Sequence, residues 1–261
     1  MLTDFGYRDH YAGVMRGVIA SIAPAAPVID ITHGIPAQSV SAGALILRES
    51  WRYFPPKTIF VAIVDPGVGT ARRPIAVETS SGARFVGPDN GLMWPAVEQA
   101  GYRRAVELRS PRYRLKHVSA TFHGRDIFAP AAAHLWLGTR LTALGPSLKQ
   151  IEKLALGEVE QGSEELGGST IYVDGFGNLV RNIDRPSFER FKACFPSQNL
   201  FVTIETGPPI ELRETYGDAP EGTLLALFGS FQMLEIAVRG GSAAERLAVR
   251  PGERVMVRIK R

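Results

Sequence analysis

With a single cysteine, Cys194, among 261 residues, the chain can form no internal disulfide, which fits a reducing compartment. No apolar run approaches the roughly 20 residues of a membrane-spanning helix, and MLTDFGYRDHY lacks the apolar stretch of a secretory signal. These absences predict a cytoplasmic protein with no membrane association. There is no internal repeat, no low-complexity tract, no zinc-finger spacing and no aromatic RNA-binding signature. The positive balance, +4 with a pI near 9.3, is scattered over Arg pairs at 72–73 and 103–104 and over RSPRYRLK (109–116). It reads as a solvated basic face, with no nucleic-acid partner. Hydrophobic residues make up 45 % and charged residues 21 %, ordinary for a globular protein long enough to bury a large core. Cys194 reads as a small, partly buried packing residue.

The first half alternates between helix and strand periods. VMRGVIASIAP (14–24) places apolar residues on one helical face and stops at Pro24. PVIDITHGIP predicts a short strand, and SVSAGALILRESWRYF a buried helix ended by Pro55 and Pro56. TIFVAIV has no polar alternation, as in a strand covered on both faces. IAVETS and RFVGPDNG add strands, residues 93–99 a helix, and GRDIFAPAAAHLWLG an Ala-rich helix. Met93, Trp94 and Trp136 read as core. This order predicts an α/β domain over residues 1–155 with a largely parallel central sheet between helices. The acidic, Gly-rich stretch 156–168 reads as a linker. STIYVDGFGNLVRNI, NLFVTIE, PIELRE, TLLALFG, MLEIAV and ERVMVRI are closely spaced strand patterns, which predict a small β-barrel over 169–261.

Chemistry concentrates where chain leaves regular structure, in LTDFGYRD, VDPGVGTARR, TFHGRD and VDGFGN. Each sets an Asp, His or Asn at a turn, and in α/β folds ligands sit at the carboxyl ends of strands. Asp65 ends TIFVAIV in this way. GVGTARR is not a phosphate loop, since it lacks the Gly-Lys-Ser/Thr ending and leads into a strand. Asp30, His33, His123 and Asp126 have metal-ligand residue types, but no HExxH or Cys spacing accompanies them, so no metal is expected.

Seven segments in order, LTDFGYRDHYAGVMRG, DITHGIP, VDPGVGTARRPI, FVGPDNG, TFHGRDIFAP, YVDGFGNLVRNI and FGSFQMLEIAV, resemble the S-adenosylmethionine hydroxide adenosyltransferase family, hydrolytic relatives of fluorinase and chlorinase. The resemblance implies a homotrimer with sites between one subunit's N-terminal domain and its neighbour's C-terminal domain. It also implies hydrolysis of S-adenosylmethionine to adenosine and L-methionine, without a cofactor. The family's Asp-Arg-His set falls on Asp65, Arg72 and His123, with Arg73 as an alternative to Arg72. The halogenases carry a tyrosine in place of Asp65 and a serine in place of Gly124, so water is the expected nucleophile.

By the same resemblance Asp4 holds the ribose hydroxyls with Asp9 in support, and Asp174 accepts the methionine ammonium. Phe176 and Asn178 serve adenine, and Ser230 the methionine carboxylate, where Phe231 replaces the arginine of the halogenases. The family carries further apolar residues ahead of the LTDFG motif, so either the start is misplaced or the first strand is clipped. Two other readings compete: a non-catalytic nucleoside or S-adenosylmethionine binding protein, and a metal-dependent phosphohydrolase.

Overall fold

The run TIFVAIV becomes the second strand of a six-stranded sheet in the computed structural model, which describes residues 1–204, 207–248 and 252–259. Two units separate, Met1–Leu154 and Ala155–Arg261. In the first, Leu2–Thr3 (β1), Ile59–Ile63 (β2), Pro74–Thr79 (β3), Arg84–Pro88 (β4), Tyr102–Glu107 (β5) and Ser147–Leu148 (β6) are ordered β1-β2-β4-β3-β5-β6. β1, β2 and β4 pair in parallel, while β3, β5 and β6 continue the sheet antiparallel. The antiparallel half follows from the short SSG turn, which returns β3 directly onto β4 as a hairpin.

Helices Tyr11–Ile22 (α1), Val40–Ser50 (α2), Trp94–Gln99 (α3) and Ala129–Trp136 (α4) cover this sheet. Met15 and Ile19 of α1 share a core with Val61 and Ile63 of β2 and the alanines of α4. Successive strand residues face opposite ways, so Phe60 stacks on Phe85 at 5.0 Å and Val64 lies under Gly43 of α2. From Phe60 to Ile63 every residue is buried, each larger side chain contributing about 1.5–3 kcal/mol.

The sheet closes so tightly beside β2 that a Cβ on Gly87 would lie 2.2 Å from the Ala62 carbonyl oxygen. Gly87→Ala is therefore expected to cost about 1–3 kcal/mol of stability or more, as overpacking does, read as a lowered unfolding midpoint. An unchanged midpoint would contradict the close approach.

The second unit contains Glu160–Gln161 (β7), Glu165–Val173 (β8), Leu179–Asp184 (β9), Leu200–Ile204 (β10), Ile210–Glu211 (β11), Leu224–Phe228 (β12), Met233–Val238 (β13) and Arg254–Ile259 (β14). Their order is β11-β10-β14-β8-β9-β13-β12, with β7 on β8. A bridge from Leu212 to Ala226 draws the two ends together into a nearly closed barrel. Arg185–Ala193 (α5) buries Phe188 and Phe191 in its core, and Ala243–Leu247 (α6) packs beside β13.

Several expectations need correction. The segment 27–36 forms a bridge, Leu2 to Thr32, in place of the expected strand, with the Ile31 and Ile35 amides donating to the Met1 and Thr3 carbonyls. Trp136 is 45 % exposed at the end of α4, not core, and Cys194 is exposed just past α5. α5 was absent from the sequence reading, although Asp184 accepting from the Ser187 amide at 2.8 Å and Pro186 in the first turn are recognisable start signals.

Candidate active site

Asp65 follows β2 by two residues and opens the turn Asp65–Arg73. The Val68 and Thr70 amides donate to the carbonyls of Asp65 and Gly67, and the Thr70 hydroxyl donates to Gly67 as well. Gly69 has φ +78°, and a Cβ there would lie 2.7 Å from the Ala120 carbonyl oxygen, so both conformation and contact demand glycine. The turn brings Arg72 back over the carboxylate. Arg72 Nε donates to Asp65 Oδ1 at 3.1 Å and Nη2 donates to Oδ2, a two-pronged pair. Both side chains are only 6 % exposed.

The same Nη2 reaches His123 Nδ1 at 3.1 Å. A guanidinium nitrogen only donates, so Nδ1 accepts and the neutral ring carries its proton on Nε2. His123 immediately precedes Gly124–Phe128, a π-helical turn in which the Ala129 amide donates to the Gly124 carbonyl. The helix expected from GRDIFAPAAAHLWLG therefore starts one class wider than predicted, a form found often at functional sites. Phe128 lies under the Arg72 guanidinium at 5.5 Å.

Burial pushes the Asp65 carboxyl above its usual range, against the opposing pull of Arg72, His123 and the Gly67 amide. Burial and the Arg72 charge push His123 below its usual value, against Asp65 and Asp126. At neutral pH this gives a carboxylate more basic than an ordinary aspartate beside an uncharged imidazole.

Asp65 and His123 open onto a cleft of about 490 Å³ that Asp4, Phe5, Tyr11 and Phe122 also line. This volume is in the usual range for a small-molecule site. Asp4 follows β1, and its Oδ2 accepts from the Gln38 amide at 2.8 Å. Asp9 is exposed and is not part of the cleft lining. The hydrogen bond that orients Asp4 therefore comes from the Gln38 backbone.

In the second unit, Asp174 is engaged locally. Its Oδ1 accepts from the Phe176 and Asn178 amides at 2.9 Å each, and its Oδ2 from Asn178 Nδ2 at 3.0 Å. This turn holds Phe176 outward, 80 % exposed, while Asn178 is buried. Ser230 is exposed and Phe231 half-buried in the tight turn between β12 and β13.

The two arginines separate cleanly: Arg73 pairs with Asp89, which also accepts from the Glu152 amide at 2.8 Å. Among the described residues no three His, Cys, Asp or Glu side chains gather to hold a metal. Instead Asp30 pairs with Arg16 and lies 3.2 Å from His33, and Asp126 pairs with Arg125. Sequence reasoning missed Asn90, whose side chain donates to the Val64 carbonyl at 2.9 Å and accepts from the Leu92 amide, fastening the end of β2 next to Asp65. The Asp-Asn-Gly turn in FVGPDNG was its signal.

Residues 1–145 match the SAM hydroxide adenosyltransferase N-terminal domain and residues 168–256 its C-terminal domain. The chain is 39 % identical to a protein from Salinispora arenicola named (R)-S-adenosyl-L-methionine hydrolase, covering 98 % of this chain and 95 % of that one. A protein of the same name from Thermus thermophilus is 40 % identical, over 96 % and 95 %. A fluorinase from Nocardia brasiliensis is 26 % identical, over 99 % and 95 %. The crystal structure of an uncharacterized conserved protein from Thermotoga maritima superposes with a TM-score of 0.89 at 36 % identity, covering 98 % of each chain. By both domains and nearly its whole length, the chain belongs to the SAM hydroxide adenosyltransferase family.

Proposed function

We propose that this protein hydrolyses (R)-S-adenosyl-L-methionine to adenosine and L-methionine through attack of water on ribose C5′. The observation that carries this reading is the buried Asp65 carboxylate at the edge of a cleft, held by Arg72, whose guanidinium also reaches His123. Water oxygen forms the new bond to C5′ as the C5′–S bond breaks. The bonding pair moves to sulfur, which leaves as the neutral thioether of methionine and needs no acid. The water proton passes to Asp65 and then to solvent. Burial raises the proton affinity of Asp65, and Arg72 fixes both its oxygens, so orientation and basicity act together. Asp4 receives the ribose hydroxyls, with Asp9 as an outer support. In the second unit Asp174, Phe176, Asn178, Ser230 and Phe231 serve the methionine and adenine ends.

Halide is disfavoured as nucleophile. A side chain at Gly124 would meet Met15 Sδ at 3.0 Å, Phe122 Cε2 at 3.2 Å and Ile63 Cδ1 at 3.3 Å, so a hydroxyl donor there needs its neighbours to move. The hydrolase relatives are also nearer in sequence than the fluorinase.

Incubation of purified protein with S-adenosylmethionine, with and without a chelator, tests the reading. Adenosine and methionine in equal amounts, indifferent to chelator, support it. Unchanged substrate favours a binding protein, and chelator-sensitive phosphate release a metal enzyme. The reading includes a cytoplasmic homotrimer with no resident cofactor, and light scattering of a stable, active monomer would remove the shared-site part.

The pH dependence has a defined sign. Activity needs Asp65 ionised and His123 neutral, so both groups shut the reaction down as pH falls. Burial holds Asp65 above its ordinary 3.8 and His123 below its ordinary 6.5, so the acid limb of kcat is expected above 3.8. A limb below 3.8 would exclude the raised carboxylate as base.

A further inference from the structure

The geometry points to the aromatic corner formed by Phe5, Tyr11 and Phe122 as the element that recognises the positive sulfur of the substrate, and so separates it from neutral thioethers. This inference rests on the hydrolase reading and adds a determinant of specificity to it. The three rings line the same cleft as Asp65 and His123. Phe5 and Phe122 meet at 6.0 Å and 77°, Tyr11 and Phe122 at 5.1 Å and 86°, and Phe5 and Tyr11 at 5.7 Å and 54°. Rings set steeply to one another make the corner of a box, the arrangement in which aromatic cages surround a methylated cation with negative ring faces.

Phe122 already takes part in one such contact, with the Arg125 guanidinium 5.2 Å from its centroid. Arg125 does not repel a second cation strongly, because its Nε and Nη2 donate to Asp126 at 2.6 and 2.9 Å. Asp65 is likewise neutralised by Arg72, and one oxygen of Asp4 is committed to Gln38. The rings therefore offer an attraction for a soft, weakly hydrated cation that these carboxylates do not replace.

The consequence for kinetics is specific. Positive charge drains from sulfur as the C5′–S bond breaks, so the ring contact is stronger in the bound substrate than in the transition state. It lowers KM without raising kcat, and it vanishes when the neutral methionine forms, which eases release.

The test compares S-adenosylmethionine with its neutral analogue S-adenosylhomocysteine by calorimetry and competition kinetics on Phe122→Leu, Tyr11→Leu and the ring-preserving Tyr11→Phe. Both leucine variants are expected to weaken S-adenosylmethionine binding by about tenfold, within the range of a partly desolvated cation–ring contact. S-adenosylhomocysteine affinity changes little, KM rises while kcat stays level or rises slightly, and Tyr11→Phe behaves as the parent. Because Phe122 adjoins His123 and could disturb it, the Tyr11 pair stands as an independent measure. Equal losses for both ligands in the Tyr11 variants overturn the inference and make the rings simple apolar packing. Parent protein indifferent to S-adenosylmethionine overturns the hydrolase reading, and this inference with it, so the two failures are distinguishable.

Discussion

Asp65→Asn is expected to lower kcat for S-adenosylmethionine hydrolysis by about 10²- to 10⁴-fold, the usual contribution of a positioned general base. The amide keeps the shape of the carboxylate and still offers one oxygen to Arg72, so the turn is kept, although the buried guanidinium loses its counter-charge and stability falls. What disappears is the acceptor for the water proton. Adenosine affinity, measured by calorimetry, is expected to stay near that of the parent because in the proposed mechanism Asp65 meets the nucleophile and not the nucleoside. Parallel losses in turnover and adenosine affinity would instead make Asp65 a binding residue. An acid limb persisting in the pH profile of any residual activity would then report His123 alone.

Arg72→Ala should be the more disruptive change, since it acts on both stability and chemistry. Asp65 is 6 % exposed, and removing one partner of a buried pair leaves the other uncompensated, at about 3–5 kcal/mol. The isolated carboxyl escapes part of that cost by binding a proton. Its proton affinity, already raised by burial, rises further once the guanidinium is gone. The acid limb of the remaining activity should therefore move to higher pH, while the unfolding midpoint in denaturant falls. His123 loses the donor that fixes Nδ1, so kcat falls beyond what the protonation shift explains. Arg72→Lys restores charge but only one prong, and is expected to recover stability better than rate. A variant at Arg72 as stable as the parent would contradict a buried, mutually dependent pair.

Local patterns carried most of the architecture. TIFVAIV lacks polar alternation and lies within a doubly covered sheet, and the strand patterns after residue 169 all became barrel strands. Periodicity also found α1, α2 and α3 to within a few residues. The proximity of Asp65 to Arg72 was legible because both belong to one turn, but its orientation was not. The choice between adjacent arginines depends on Gly69 approaching Ala120 and on Asp89 taking Arg73, contacts set by residues distant in sequence. The wide turn after His123 was illegible for another reason: Gly124–Phe128 has ordinary helical residue types, and nothing in their order marks the extra residue. Asp174 illustrates the reverse case. By resemblance it accepts the methionine ammonium, and what local spacing makes legible is its acceptance of the amides of its own turn.

In that wide turn the Ala129 amide skips back five residues to Gly124, so the segment holds one residue more than a regular helix requires. Losing that residue would let the ordinary ladder close and would swing everything upstream by about 100°, carrying the imidazole off the guanidinium. The extra residue thus sets the direction in which His123 leaves the helix, and with it the contact to Arg72.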